Sequence, residues 1–438
     1  MGDYYETQGE FTSRMLAEFW SSNYEDDEEY GELIDFLNKA ENFRTFDTGL
    51  TEFIKKHGYI EKEGLSEEVC FKQRVNFLKQ KFDEKNIPFG KGTIKNYFEG
   101  KIRPDSKWQS RQNIFKVCFA LDLDVDETTA FFNKIYFDRT FNVKNIDDLV
   151  YYFCIKNKKS YNDAERLIED LKKMLDEDLT PVLDETVYTS AIREKTDFFT
   201  EESELIRYVL ENKHAFKRYN TTATRYLDRL LDRIQGKKED KIIVEKIKDS
   251  EALTSQDQED IKKCGLVVQE VLKNYGHEFL NVNKHKERKK DLITRNQTIY
   301  SIDFMLFVIY FSNKPVRKSD FSFAKNANLL DIIRNNFPSD SSFSKLRNKP
   351  NHSFDALRKM IILLEFYAFC FDADEAEDDG FDFFDDFTEQ MNDVLDSCGM
   401  GPLYIGNPYD WLFLFCAKSE HPLDTFRSII HKVSETDE

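Results

Sequence analysis

From Ser66 onward, apolar side chains recur at Phe71, Val75, Leu78 and Phe82, three or four positions apart, which is the spacing of one helix face. Ser66 is a good cap residue and Glu67 and Glu68 suit the positive end of a helix, so the pattern predicts a helix that starts there and stops near Asn86-Ile87-Pro88. A second, short helix is expected over Thr93 to Phe98, ended by Gly100, and a third after Ser110 with Ile114, Val117, Cys118 and Leu121 on one face. Further on, Thr200 can cap a helix through Leu210, and Thr221 to Ile234 places Tyr226, Leu227, Leu230 and Leu231 at helical spacing. Only 16 Gly and 9 Pro occur in 438 residues, too few to turn a β-sandwich or barrel. Hydrophobic residues at 40% and aromatics at 14% supply ample core. The expected fold is all-α, elongated and multi-helical.

Comparison of the chain with itself suggests a duplication. Asn145 to Lys156 (Asn-Ile-Asp-Asp-Leu-Val-Tyr-Tyr-Phe-Cys-Ile-Lys) aligns without gaps to Asn407 to Lys418 (Asn-Pro-Tyr-Asp-Trp-Leu-Phe-Leu-Phe-Cys-Ala-Lys), and Ile168 then meets Ile430. Upstream of each lies a turn and a helix, Gly100-Lys101 to Leu121 in one and Asn348-Lys349 to Leu364 in the other. Asparagine is the residue best able to replace glycine in a left-handed turn. Two related helix-turn-helix-like modules are therefore expected, at 66–175 and 328–438. They are preceded by an acidic helical lead-in, 1–65, and joined by a helical connector, 176–327, whose polar stretch near 235–259 reads as a flexible linker. The second module carries an acidic insertion, 372–389, with ten carboxylates among phenylalanines. It reads as a solvated loop, a docking segment for a basic partner, or a plug that mimics phosphates.

Charge changes the picture from fold to function. Lys plus Arg number 63 against 82 Asp plus Glu, a net of −19, so the chain as a whole repels polyanions. Residues 71–120 hold twelve basic side chains and four acids, which makes this stretch +8 and the remainder −27. Such an island is the electrostatic footprint of a local polyanion site. A lesser basic patch between Lys284 and Arg295 reads as a solvated helix face or a supplementary phosphate contact.

Inside the island, Thr93-Ile94-Lys95-Asn96-Tyr97-Phe98-Glu99-Gly100-Lys101-Ile102-Arg103-Pro104 resembles the end of the recognition helix and the following turn of the Cro/CI-repressor type of helix-turn-helix, where T-I-x-x-[WY]-x-x-G-x-x-x-P is common. The resemblance spans about residues 70–125; the segment Asn86 to Gly92 is too short for a further helix, so the long first helix takes its place or the match is a packing unit. The resemblance implies that Thr93, Lys95 and Asn96 reach base edges and phosphates while Ile94, Tyr97 and Phe98 anchor the helix. Lys101, Arg103, Lys107 and Arg111 would then follow the phosphate backbone, and Trp108 would stack on a base or anchor the next helix. The whole chain also resembles helical, helix-turn-helix-bearing proteins of Gram-positive gut bacteria and their mobile elements. The expected activity is that of a non-enzymatic nucleic-acid-binding regulator or adaptor, acting in transcription or antiviral defence, with DNA preferred to RNA and a protein partner on the acidic remainder.

Catalytic signals are few. Gly90-Lys91-Gly92 lacks the upstream glycine and strand of a phosphate loop, and no CxxC or HExxH occurs, so neither cofactor nor metal is expected. Arg347 and His352 match the R-x4-6-H pattern of HEPN ribonucleases, and Arg207 to His214 matches its longer form, which keeps a metal-independent RNA-cleaving toxin or defence protein as the alternative. A protein-only helical scaffold is the third reading. The seven cysteines are odd in number and lie mostly in apolar runs, as reduced core thiols of a cytoplasmic protein would. The apolar stretches near 304–311 and 360–371 are too short to span a bilayer, so no membrane partner is expected.

Overall fold

The computed structural model of the chain describes residues 32–33, 45–100, 104, 108–175, 189–217, 221–236, 240, 242–244, 254–280, 302–311, 354–373 and 382–435. The described residues form helices joined by turns and hold no strand, so the protein is all-α. In chain order the principal helices of the first half are α1 (Phe46–Lys56), α2 (Glu67–Glu84), α3 (Lys91–Phe98), α4 (Trp108–Ala120), α5 (Val125–Phe131), which continues into a π turn at Phe132–Tyr136, α6 (Ile146–Lys156), α7 (Tyr161–Leu175), α8 (Thr189–Thr196) and α9 (Glu202–Glu211). The second half holds α10 (Thr221–Gln235), α11 (Ser255–Ile261), α12 (Leu266–Leu280), α13 (Ile302–Phe311), α14 (Phe354–Ala373), α15 (Phe383–Ser397), α16 (Pro408–Ala417) and α17 (Pro422–Glu435).

Local sequence explains many of the boundaries. Ser66 stands at the N-cap of α2 as expected, although its side chain makes no capping bond. That helix ends in a Schellman motif: Asn86 takes the left-handed conformation at φ 53°, and the N–H groups of Asn86 and Ile87 donate to the carbonyls of Asp83 and Phe82. Ile87 and Phe82, the apolar pair of that motif, are both buried. At α5, Asp124 accepts from the Glu127 N–H at 2.8 Å while Glu127 accepts from the Asp124 N–H at 3.1 Å, a reciprocal capping box. At α9 the cap falls on Glu201 rather than Thr200, because Glu204 reaches back to both N–H groups.

Two hydrophobic cores organise these helices. The first gathers buried residues from Phe46 to Phe216, and the second runs from Ala223 to Ile430 with Leu33 added. Of the described part of the acidic lead-in, Phe46, Leu50, Phe53 and Ile54 of α1 lie in the first core and Leu33 in the second. The connector does not stand apart, since Ile192, Leu205 and Val209 pack into the first core and Leu227, Leu230, Leu231 and Ile234 into the second. Connector helices α9 and α10 each have a single apolar face, spent on the first and the second core respectively. The cores meet at their corners, where the rings of Phe137 and Tyr404 are 6.2 Å apart in an edge contact.

The expected linker near 235–259 is anchored at several described points. Val244 packs with Cys264, Val268 and Leu272, and the carboxylate of buried Asp240 accepts from the Gly265 N–H at 2.9 Å. Gly236, at φ +83°, and Gly265 approach so closely that a Cβ on Gly265 would lie 2.3 Å from the Gly236 nitrogen. Gly265→Ala is accordingly expected to lower the unfolding free energy by about 1–3 kcal/mol, measured by denaturant titration, because backbone must move to admit the methyl group.

In the acidic insertion, residues 374–381 lie outside the described residues, and the part from Asp382 onward has a structural role. Asp382 caps α15, Asp385 and Asp386 occupy its first turn, and buried Phe387 and half-buried Phe383 pack against Phe366 and Phe369. These phenylalanines are core anchors, and these carboxylates stabilise a helix start.

All seven cysteines are buried thiols outside any disulfide. Burial pushes the thiols of Cys154 and Cys264 up to about 12 and that of Cys398 to about 11. The folded protein is expected to react slowly with an aromatic disulfide reagent, and to release all seven thiols promptly in denaturant. Rapid labelling of a thiol in the folded state would show that one core opens readily. Among the described residues no helix is long and apolar enough to cross a membrane.

Candidate nucleic-acid interface

The short helix α3 is positioned by its apolar side. Ile94, Tyr97 and Phe98 are buried, and the Tyr97 ring meets Phe46 of α1 at 5.2 Å and Phe89 at 6.0 Å. Phe89 in turn stacks on Phe82 at 4.2 Å, which ties the turn Lys85 to Gly90 to the end of α2. Burial also drives the Tyr97 phenol well above its ordinary pKa. The face left outside carries Lys91, Lys95 and Asn96, all exposed, with Thr93 half-buried. Among the described residues the side chains of Lys95 and Asn96 have no ion-pair or hydrogen-bond partner. Thr93, Lys95 and Asn96 thus lie on a single helix whose opposite side is fixed by the helix before it and by α1.

Gly100 ends this helix at φ +67°, in the left-handed region. A Cβ there would lie 2.9 Å from an Asp47 carboxylate oxygen, so the position excludes a side chain by conformation and by contact. Lys101, Arg103 and Lys107 lie outside the described residues, as does the side chain of Trp108.

Arg111 does not follow the backbone of a bound nucleic acid. Its guanidinium points into the first core, donating to Asp138 at 2.9 Å, to Asp148 at 2.7 and 3.3 Å, and to the carbonyls of Arg139 and Thr140. It also lies over the rings of Phe115 and Phe132. The attraction of both carboxylates outweighs burial and holds its pKa above the usual arginine value. The residue is a core ion, and it leaves the contact set that its place in the basic stretch implied.

A matching arrangement stands in the second core. Arg358 of α14 grips Asp410 with two bonds, at 2.6 and 2.7 Å, and donates to the carbonyls of Gly401 and Pro402. In both places the aspartate is the third residue of an Asn-capped helix, with Asn145 and Asn407 accepting from the first-turn N–H groups. In both it also accepts at 2.8 Å from the N–H six residues upstream, that of Asn142 or Tyr404. The left-handed residues Phe137 and Gly399 correspond as well. The aspartates, the capping asparagines, the upstream N–H donors and the left-handed residues are each 262 positions apart, whereas the two arginines are not in that register. The aspartate was visible in the sequence as a charge repeated inside an apolar run; its arginine partner was not, because 37 residues separate it from Asp148 and 52 separate Arg358 from Asp410.

Most described cations of α2 are already paired. Lys72 holds Glu68 at 2.6 Å, Arg74 holds Glu67 and Glu61, Lys79 holds Asp83, Lys81 lies 3.7 Å from Glu84, and Lys85 holds Asp122 at 2.6 Å. Lys116 sits over the Tyr161 ring at 5.6 Å.

Arg347 and His352 lie outside the described residues; Arg207 is exposed on α9, and the side chain of His214 is outside them. Among the described residues no group of His, Cys, Asp and Glu could hold a metal ion. Comparison with known protein families, curated proteins and solved structures finds no match to this chain.

Proposed function

We propose that the protein is a nucleic-acid-binding regulator or adaptor that presents α3 to the major groove of DNA. The observation that carries this reading is the division of one short helix into an anchored side, Ile94, Tyr97 and Phe98, and an outward side, Lys91, Thr93, Lys95 and Asn96. Lysine and asparagine are groups that contact phosphates and base edges, and an eight-residue helix held by a preceding helix can enter the groove end-first. The charge island around it supplies local attraction within an otherwise acidic chain. The recurrence of the arginine–aspartate clasp, with the aspartates and their capping asparagines a constant 262 positions apart, supports two related modules of common origin, the first reading nucleic acid. The acidic remainder is the side assigned to a protein partner.

The test is binding of the full chain to labelled duplex DNA and to RNA of equal length across a salt series, with the nucleic acid inspected for cleavage. Affinity that falls steeply with salt, with intact nucleic acid, supports the reading. Absence of binding at low salt overturns it in favour of a protein-only scaffold. Metal-independent RNA cleavage lost in His352→Ala overturns it in favour of a ribonuclease.

A further inference from the structure

The twelve cations of residues 71–120 are not equivalent once folded. Lys72, Arg74, Lys79, Lys81 and Lys85, which run along α2 and into its end, each have a carboxylate within ion-pair distance. Four of these partners, Glu67, Glu68, Asp83 and Glu84, belong to the same helix, so they enter a phosphate's field together with the cation they pair. A lysine and a carboxylate held this close present almost no net charge to a phosphate several ångströms away. Arg111 is inside the core, and Lys116 is drawn over a ring. Besides half-buried Lys116 on α4, the cations left without a carboxylate among the described residues are Lys91 and Lys95, at the start and the middle of α3.

Lys91 is held in place rather than trailing in solvent. Its ammonium donates to the Asn76 side-chain oxygen of α2 at 2.9 Å, which spans the turn between the two helices and leaves two N–H bonds for another acceptor. An anchored ammonium loses less side-chain entropy on meeting a phosphate than a free one.

Resting on the nucleic-acid reading above, we infer that among the described residues the polyanion footprint is confined to α3, with Lys91 a phosphate-contacting residue and α2 electrostatically silent. The occupant is a nucleic-acid backbone, chosen by its charge. The described part of the footprint then neutralises about two phosphates, from Lys91 and Lys95, and the five paired cations from Lys72 to Lys85 add almost nothing to the logarithmic salt slope.

The experiment compares three full-length forms on one duplex across a salt series: unmodified protein, Lys91→Gln, and the pair Lys79→Gln with Asp83→Asn. Circular dichroism and thermal melting establish that each is folded. Lys91→Gln should weaken binding about threefold to tenfold at low salt and flatten the slope by about one. The double variant, which removes a cation and its own carboxylate, should match the unmodified protein within about twofold. Equal losses in the two variants, or a loss in the double variant alone, would overturn the confined footprint while leaving DNA binding intact. No binding by the unmodified protein would overturn the function itself.

Discussion

Arg111→Ala should lower the stability of the first core by about 3–5 kcal/mol, the largest effect of any single substitution considered for the fold. The side chain is 8% exposed and its partners Asp138 and Asp148 are 3% and 1% exposed, so removal leaves two carboxylates buried without their cation. One oxygen of Asp148 already lacks a hydrogen-bond partner, which leaves little local capacity to absorb the loss. For a unit reaching from Phe46 to Phe216, the melting temperature should fall by roughly 6–20 °C. Arg111→Lys keeps the charge but loses the planar fork that reaches both acids and two carbonyls, and should recover only part of the stability. Arg358→Ala should produce a loss of the same sign in the second core, where Asp410 is 1% exposed. Urea titration monitored by fluorescence and circular dichroism reads each loss. A change below about 1 kcal/mol in Arg111→Ala would mean that water reaches the clasp.

The second large effect is on binding. Lys95→Glu combined with Arg103→Glu should weaken duplex DNA binding by on the order of 100-fold at low salt, because two attractions are replaced by two repulsions in the groove. The salt slope should flatten by about two. Lys95 is exposed on α3 and has no partner among the described residues, so the change there should leave the melting temperature within a degree or so; Arg103 enters on its place in the sequence pattern. Asn96→Ala should act differently, costing about 1–3 kcal/mol on the preferred sequence and little on a random one, if its amide reads a base edge. Retained affinity in the double charge reversal would remove α3 from the interface.

Some elements were legible in the sequence for identifiable reasons. α2 and α3 were found almost to the residue because each has one apolar stripe, and because Asn86 and Gly100 are residue types that permit the left-handed turns at their ends. The division of α3 into buried Ile94, Tyr97 and Phe98 and outward Lys95 and Asn96 came from the same stripe. Domain limits were harder. Amphipathic helices such as α9 and α10 announce an apolar face but not the core it will cover, so the connector looked independent when it is shared between two.

The sequence by itself determined the all-helical class, the positions of the helices flanking Gly100, and the local charge excess, since each depends on neighbours within a few residues. Only the tertiary structure decided which charges are available. Side chains such as Arg111 and Lys85 choose partners far along the chain, Asp148 and Asp122, and a net count along the sequence cannot tell a cation facing solvent from one neutralised or buried. Coulomb attraction acts through space at a few ångströms, and the fold alone sets those distances.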